Sequence, residues 1–191
     1  DSGCKGHAEV SGVVRVGAPE GLGALFLARH MPALMARYPG LEIDLVAVPR
    51  FVSITSREVD IAIALERPQA NLVVTRKLTN YCLGLYATPG YLAGHPPIAE
   101  REDLNGHAIL AYVDDLLFTR ELMYHHGLCR HPRMPLRNTS VVAQKEAALA
   151  GGGIAVLPYY MVYDDARLVQ VLPELRIVRS YWISARSNIR R

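Results

Sequence analysis

The sequence predicts an α/β fold of two lobes with two crossings between them, on three observations. The first is residues 13–38, which read as strand, tight turn and helix. VVRV alternates into Gly17, Ala18-Pro19-Glu20-Gly21 turns the chain, and Leu22, Leu25, Phe26, Met31, Leu34, Met35 and Tyr38 follow at roughly helical spacing. The second is the pace of what comes next. Pro39-Gly40 stops the helix, LEIDLVAV alternates as a strand, residues 49–57 open a short helical stretch, and residues 60–64 form a brief strand apolar on both faces. Strand–helix–strand–helix–strand predicts a parallel sheet with right-handed crossovers. The third is a pair of breaks, at Thr88-Pro89 and at Pro158-Tyr159, which bracket a segment with strands and helices of its own.

The remaining elements follow in order. Residues 72–78 and 82–87 are expected as two strands, 107–112 as a strand, 116–126 as a helix and 134–138 as a strand. Thr139 or Ser140 caps a helix over 141–150, Gly151-Gly152-Gly153 ends it, and 154–157 is a strand closed by Pro158. From Arg167 onward short strands alternate, through residues 181–185. This division makes residues 1–11 a linker, 12–87 plus 159–191 the first lobe and 88–158 an inserted second lobe. A cleft between lobes is the default place for a small ligand.

Composition narrows the class. Of the 191 residues half are apolar and a fifth charged, as in an ordinary globular protein, and a formal charge of +3 with dispersed basic residues does not make a nucleic-acid surface. No apolar run approaches the roughly 20 residues that span a bilayer, so no membrane partner is expected. Cys4, Cys82 and Cys129 cannot all pair, which favours a reducing, cytoplasmic compartment.

The order VRVGAPEG, MARYPGLEIDLVAV, REVDIAIAL, YATPGYLAGHPP, EDLNGHAILAY and LRNTSVVAQKEAALAGGGIAVLP resembles the effector-binding domain of LysR-type transcriptional regulators, over about residues 11–185. Singly these motifs are loose; their order and spacing together are specific. The resemblance implies a periplasmic-binding-protein-like fold, a small organic effector held between the lobes, and an N-terminal winged helix-turn-helix that binds DNA and is absent from this sequence. It further implies a homodimer, a tetramer in the full-length protein, and no cofactor. The family usually ends in a helix after the last strand, whereas this sequence stops at SNIRR, so some apolar surface on the first lobe is expected to lie uncovered.

The same resemblance singles out the site. Pro19-Glu20-Gly21 sits where family members contact their effector through backbone N–H groups and often a Ser or Thr hydroxyl; the plainer reading of Glu20 is that it complements the helix dipole. Arg50-Phe51 ends the second strand at another position that usually faces the family's cleft. A guanidinium there suits a carboxylate or phosphate, although an Arg at a strand end is more often a surface residue. Leu65-Glu66 end the third strand on the same rim, and Tyr112-Val113 face them from the inserted lobe. Asn138-Thr139-Ser140 begin a helix there with hydroxyl and N–H groups that suit an anion or amide; plain capping explains them equally well. Arg50 argues for an anionic group on the effector and Glu20 and Glu66 for a donor or cation, and an amphoteric or hydroxylated organic acid satisfies both.

Other chemistries find little support. His125, His126, Cys129 and His131 lack the paired CxxC or HxxxH spacing of defined metal sites, so a solvated loop is expected and no metal. Redox sensing by Cys129 would need Cys82 as resolving partner. Ser53, Thr55 and Ser56 have no evident general base, no GxSxG elbow or P-loop occurs, and Asp114-Asp115 reads as a helix start rather than a carboxylate dyad. An effector-sensing domain is therefore expected, with a solute-binding receptor of a transport system as the alternative and an enzyme as a third possibility. The wide apolar surface of the first helix, with Leu117, Phe118 and Met123 of the 116–126 helix as partner surface, predicts an antiparallel dimer.

Overall fold

The computed structural model describes residues 10–50, 54, 58–68, 73–124 and 127–186. β1 (Ser11–Pro19) and β2 (Gly40–Val48) alternate as expected and pair in parallel from Ser11↔Gly40 to Pro19↔Val48. β3 (Ile61–Ala64) adds in parallel to the other edge of β1, through Val16 and Gly17. The helix after β1 is continuous but not uniform: α1 (Glu20–Leu22), a π-helical turn (Gly23–Leu27) and α2 (Ala28–Arg37). Pro32 lies inside α2 and has no N–H for the carbonyl of Ala28, and the wide π turn immediately precedes that residue. Gly23 lets the helix press on β2, since a Cβ there would stand 2.5 Å from the Cβ of Ala47. No residue of α2 is buried, and Phe26, Leu34 and Met35 are 37%, 38% and 53% exposed.

Two strands were expected at residues 72–78 and 82–87, but one strand, β4 (Val73–Ala87), covers both. The segment 79–81, with polar Thr79 and Asn80, reads as a break because it interrupts the apolar alternation. A bulge between Lys77 and Thr79 absorbs it, and pairing to β9 (Ile177–Arg186) resumes at once. β9 is antiparallel both to β3 and to β4, while the far end of β4 pairs with β7 (Ile154–Pro158) and β8 (Val169–Val171). The long strands β4 and β9 thus carry the chain between two halves of one sheet, ordered β2-β1-β3-β9-β4-β7-β5-β6 among the described residues.

In the second half α3 (Pro89–Ala93) is capped by Thr88, and β5 (Ile109–Tyr112) runs parallel to β7 and to β6 (Arg137–Asn138). α4 (Val141–Leu149) begins at Ser140, whose hydroxyl accepts from the N–H of Ala143. The helix expected over 116–126 is not formed: short 3-10 turns cover Asp114–Leu116 and Arg120–Leu122. Tertiary contacts override the helical spacing there. Thr119 donates its hydroxyl to Glu66 and accepts from the N–H of Glu121, and Leu117 and Phe118 pack onto the core instead of forming a free helix face. The strand expected at 134–138 shrinks to Arg137–Asn138.

The main core lies in this half, where Leu83, Leu85, Ile109, Leu110, Ile154 and Leu157 are almost fully buried. The first half has a small core of Ile54, Val59 and Ala62. Lys145 of α4 is also buried; its ammonium donates to the carbonyl of Met161 at 2.7 Å and lies 3.2 Å from Asp165. A groove of about 870 Å³ lies between Phe26 and Leu27 of the first helix and β4, with Leu78 and Ile63 in its walls. Among the described residues no helix is long and apolar enough to cross a membrane.

Candidate functional site

The β1–α1 turn, the ends of β3 and β5, and the start of α4 converge on a cavity of about 40 Å³. Pro19, Glu20 and Gly21 form one wall, Leu65 a second, and Tyr112, Thr139 and Val141 a third. A sheet that ends in turns at its carboxyl edge naturally collects side chains from distant segments in this way. Ser140 and Asn138 stand directly behind. Ser140 Oγ donates to Glu20 Oε1 at 2.9 Å, and Asn138 Oδ1 accepts from the N–H of Ser140 at 3.0 Å. The other oxygen of Glu20, Oε2, and the amide nitrogen of Asn138 are buried with no hydrogen-bond partner among the described residues. Val113 does not line the cavity; its N–H donates to the carbonyl of Asn138 at 3.0 Å and so ties the ends of β5 and β6.

Arg50 and Glu66 belong to a smaller neighbouring cavity of about 10 Å³, which shares Pro19 and Leu65. There the Arg50 guanidinium is 3.4 Å from Glu58, and Glu66 accepts the Thr119 hydroxyl. Phe51, like His125 and His126, lies outside the described residues.

Among the wall residues absent from the sequence-based site are four tyrosines: Tyr81, Tyr124, Tyr160 and Tyr181. Tyr81 on β4 stacks on Tyr181 of β9, with ring centroids 4.1 Å apart and planes 12° from parallel, and Tyr181 shares a hydrogen bond of 2.8 Å with Tyr160. Tyr112 and Tyr124 stand 6.5 Å apart between centroids. Burial pushes the Tyr160 hydroxyl up to about 12 and those of Tyr81, Tyr112, Tyr124 and Tyr181 well above the usual phenol range. Neighbouring tyrosines add to the effect at Tyr112, Tyr124 and Tyr181, and at Tyr112 so does the Glu20 carboxylate, whereas at Tyr81 the push from Tyr160 is opposed by hydrogen bonding with Tyr124 and Tyr181. The rings therefore stay neutral. The available signal was compositional, ten Tyr against three Phe and one Trp. Tyr carries an apolar body and a polar tip, which suits a wall that binds rather than only packs.

Arg179 is paired with Glu121 at 2.7 Å and lies 5.9 Å from the centre of the Tyr124 ring. Elsewhere, burial pushes the Cys129 thiol up, against thiolate reactivity, and Cys82 is exposed on β4. Asp114 and Asp115 open a 3-10 turn.

This arrangement defines a two-lobed α/β binding domain whose cleft is built from both ends of the chain. The comparisons narrow the class: the chain belongs to the LysR substrate binding domain family, whose model matches residues 7–191. The HTH-type transcriptional regulator PtxR of Pseudomonas aeruginosa is 27% identical over 177 residues, 88% of this chain and 56% of that protein. The HTH-type transcriptional activator TtdR of Escherichia coli K12 is 25% identical over 198 residues, 94% of this chain and 60% of that protein. Among solved structures, the regulatory domain of CrgA, a LysR-type transcriptional regulator from Neisseria meningitidis, matches with a TM-score of 0.78 at 23% identity, over 94% of this chain and 91% of that one. Full-length AphB, a virulence activator of Vibrio cholerae, matches at 0.74 and 21% identity, over 94% of this chain and 63% of that one. The chain spans little more than half the length of the curated relatives it matches.

Proposed function

We propose that this domain senses a small organic effector between its lobes and controls a DNA-binding domain attached at its N-terminus in the full-length protein. The observation that carries the reading is the tyrosine-walled cavity, to which the β1–α1 turn, β5 and the start of α4 each contribute. A molecule held there touches both halves of the sheet. It shifts their relative arrangement only in proportion to its differential affinity for the two states, which is the physical requirement for any such switch. Binding rather than catalysis fits the lining, in which Glu20 is the one carboxylate and has no second acid or base beside it among the described residues. The relatives' names favour a cytoplasmic regulator over an exported solute receptor. The exposed apolar residues Phe26, Leu34 and Met35 support assembly as a homodimer, and as a tetramer when the DNA-binding domain is present.

The test is a thermal-shift screen of small metabolites. A ligand that binds the folded state raises stability by RT ln(1 + [L]/Kd), so true effectors raise Tm in a concentration-dependent way. The reading requires that Tyr112→Ala abolish the rise. A rise that survives this substitution places the ligand elsewhere.

A further inference from the structure

We infer that the tyrosine-walled cavity receives a cationic head group, a primary ammonium or its like, and hence that the effector is a small amine; this rests on reading the cavity as the effector site. Glu20 is the single charged side chain in the wall among the described residues, and its Oε2 is buried without a partner. The nearby cations are engaged with carboxylates of their own: Arg179 with Glu121 at 2.7 Å, and Arg50, in the adjoining cavity, with Glu58 at 3.4 Å. Among the described residues, an anionic ligand would therefore meet a carboxylate and only cations already paired with carboxylates. The other orphaned polar atom nearby, the Asn138 amide nitrogen, belongs to a residue outside the lining, whereas the tyrosine rings in the wall favour the same sign as Glu20. Tyrosine faces carry the negative side of the ring quadrupole and attract ammonium groups, most strongly where water is excluded.

Size agrees as well. The cavity holds about 40 Å³, little more than the roughly 30 Å³ share of one water in the liquid. It admits a head group such as methylammonium, with the remainder of a larger effector extending between the lobes.

The test uses the whole chain with its tyrosine rings labelled with carbon-13. It is titrated separately with methylammonium chloride, sodium acetate and methanol at matched ionic strength and followed by NMR. Methylammonium should shift the Tyr112, Tyr124 and Tyr160 ring signals saturably, while acetate and methanol leave them unmoved. Glu20→Gln should weaken methylammonium by roughly tenfold or more. Tyr160→Leu, which removes a ring face and leaves the carboxylate in place, should weaken it too. Acetate or methanol saturating these signals in place of methylammonium overturns the cationic class and leaves the cleft standing as a binding site. Saturable shifts confined to tyrosines outside the cavity, or no saturable shift with any probe, overturn both.

Discussion

One hydroxyl of Ser140 joins two jobs: it accepts from the N–H of Ala143 at 3.0 Å, capping α4, and donates to Glu20 Oε1 at 2.9 Å, at the start of α1. The cap belongs to the second half of the sheet and the acceptor to the first. Capping and a tie across the cleft are therefore compatible uses of the same side chain.

Two substitutions separate them. Ser140→Ala removes both bonds and should cost about 1 kcal/mol in urea unfolding. Ser140→Asp keeps a capping oxygen but sets a second carboxylate against Glu20. Near pH 7 it should be less stable than Ser140→Ala, and the difference should shrink as pH falls through about 4, where carboxylates protonate. Equal stability of the two variants at both pH values would show that the tie across the cleft contributes nothing.

The pair Lys145 and Asp165 sets an acid limit. The Arg167 guanidinium beside Asp165, reinforced by Lys145, holds the Asp165 carboxyl far below the usual carboxylate range. A carboxyl depressed in the folded state adds stability above its unfolded value, about 3.9, and that stability is lost as pH falls from there towards the folded value. Tm should therefore begin to fall below about pH 5 and keep falling towards the folded value, and less steeply in Asp165→Asn. Lys145→Ala, which leaves Asp165 paired with Arg167 alone and the Met161 carbonyl without its donor, should cost about 1–2 kcal/mol by urea unfolding near neutral pH. An unchanged urea midpoint would contradict the pairing.

The cleft tyrosines set an alkaline limit. Their hydroxyls are raised by burial, so the unfolded chain loses its phenolic protons first, near pH 10. Stability is complete below that pH and falls as pH rises above it. Absorbance of phenolate should show part of the tyrosine population titrating normally and the rest appearing only with loss of the circular dichroism signal. Smooth titration of all tyrosines in the folded protein would mean that the cavity walls are solvated.

Assembly is testable through α2. Ala28 is exposed beside Phe26, and Met35 is 53% exposed on the same helix. Light scattering at micromolar concentration should report a dimer, and Ala28→Glu should dissociate it. A monomer independent of concentration ends the dimer proposal, and a dimer that survives Ala28→Glu must use a different face.

Much of the fold is legible because local period and local chemistry agree. VVRV into Gly17, the PG stop before β2, and Ser140 before an apolar run each mark an element that forms where expected. The same signals locate Pro19, Glu20, Tyr112 and Thr139 at element ends, which is why they converge. What escapes the sequence depends on distant partners. The segment 79–81 reads as a break until β9 supplies the pairing that carries β4 through it. Residues 116–126 carry a helical period, yet Thr119 is held by Glu66, 53 residues away, and the segment lies down as 3-10 turns. Tyr181 looks like an ordinary strand residue and Tyr81 falls between two expected strands; only the register of β4 on β9 stacks them. Lys145 carries no local signal of burial; only the fold sets Asp165 and the Met161 carbonyl around it.

Hydrogen–deuterium exchange with an effector identified by thermal shift tests most directly whether the ligand sits between the lobes. Peptides spanning residues 18–22 and residues 138–142 should gain protection together, at the same ligand concentration, because Pro19, Glu20 and Gly21 line one cavity with Thr139 and Val141. Protection confined to one of these segments, or found instead along the groove beside Phe26 and Leu78, would contradict a cleft-bound effector.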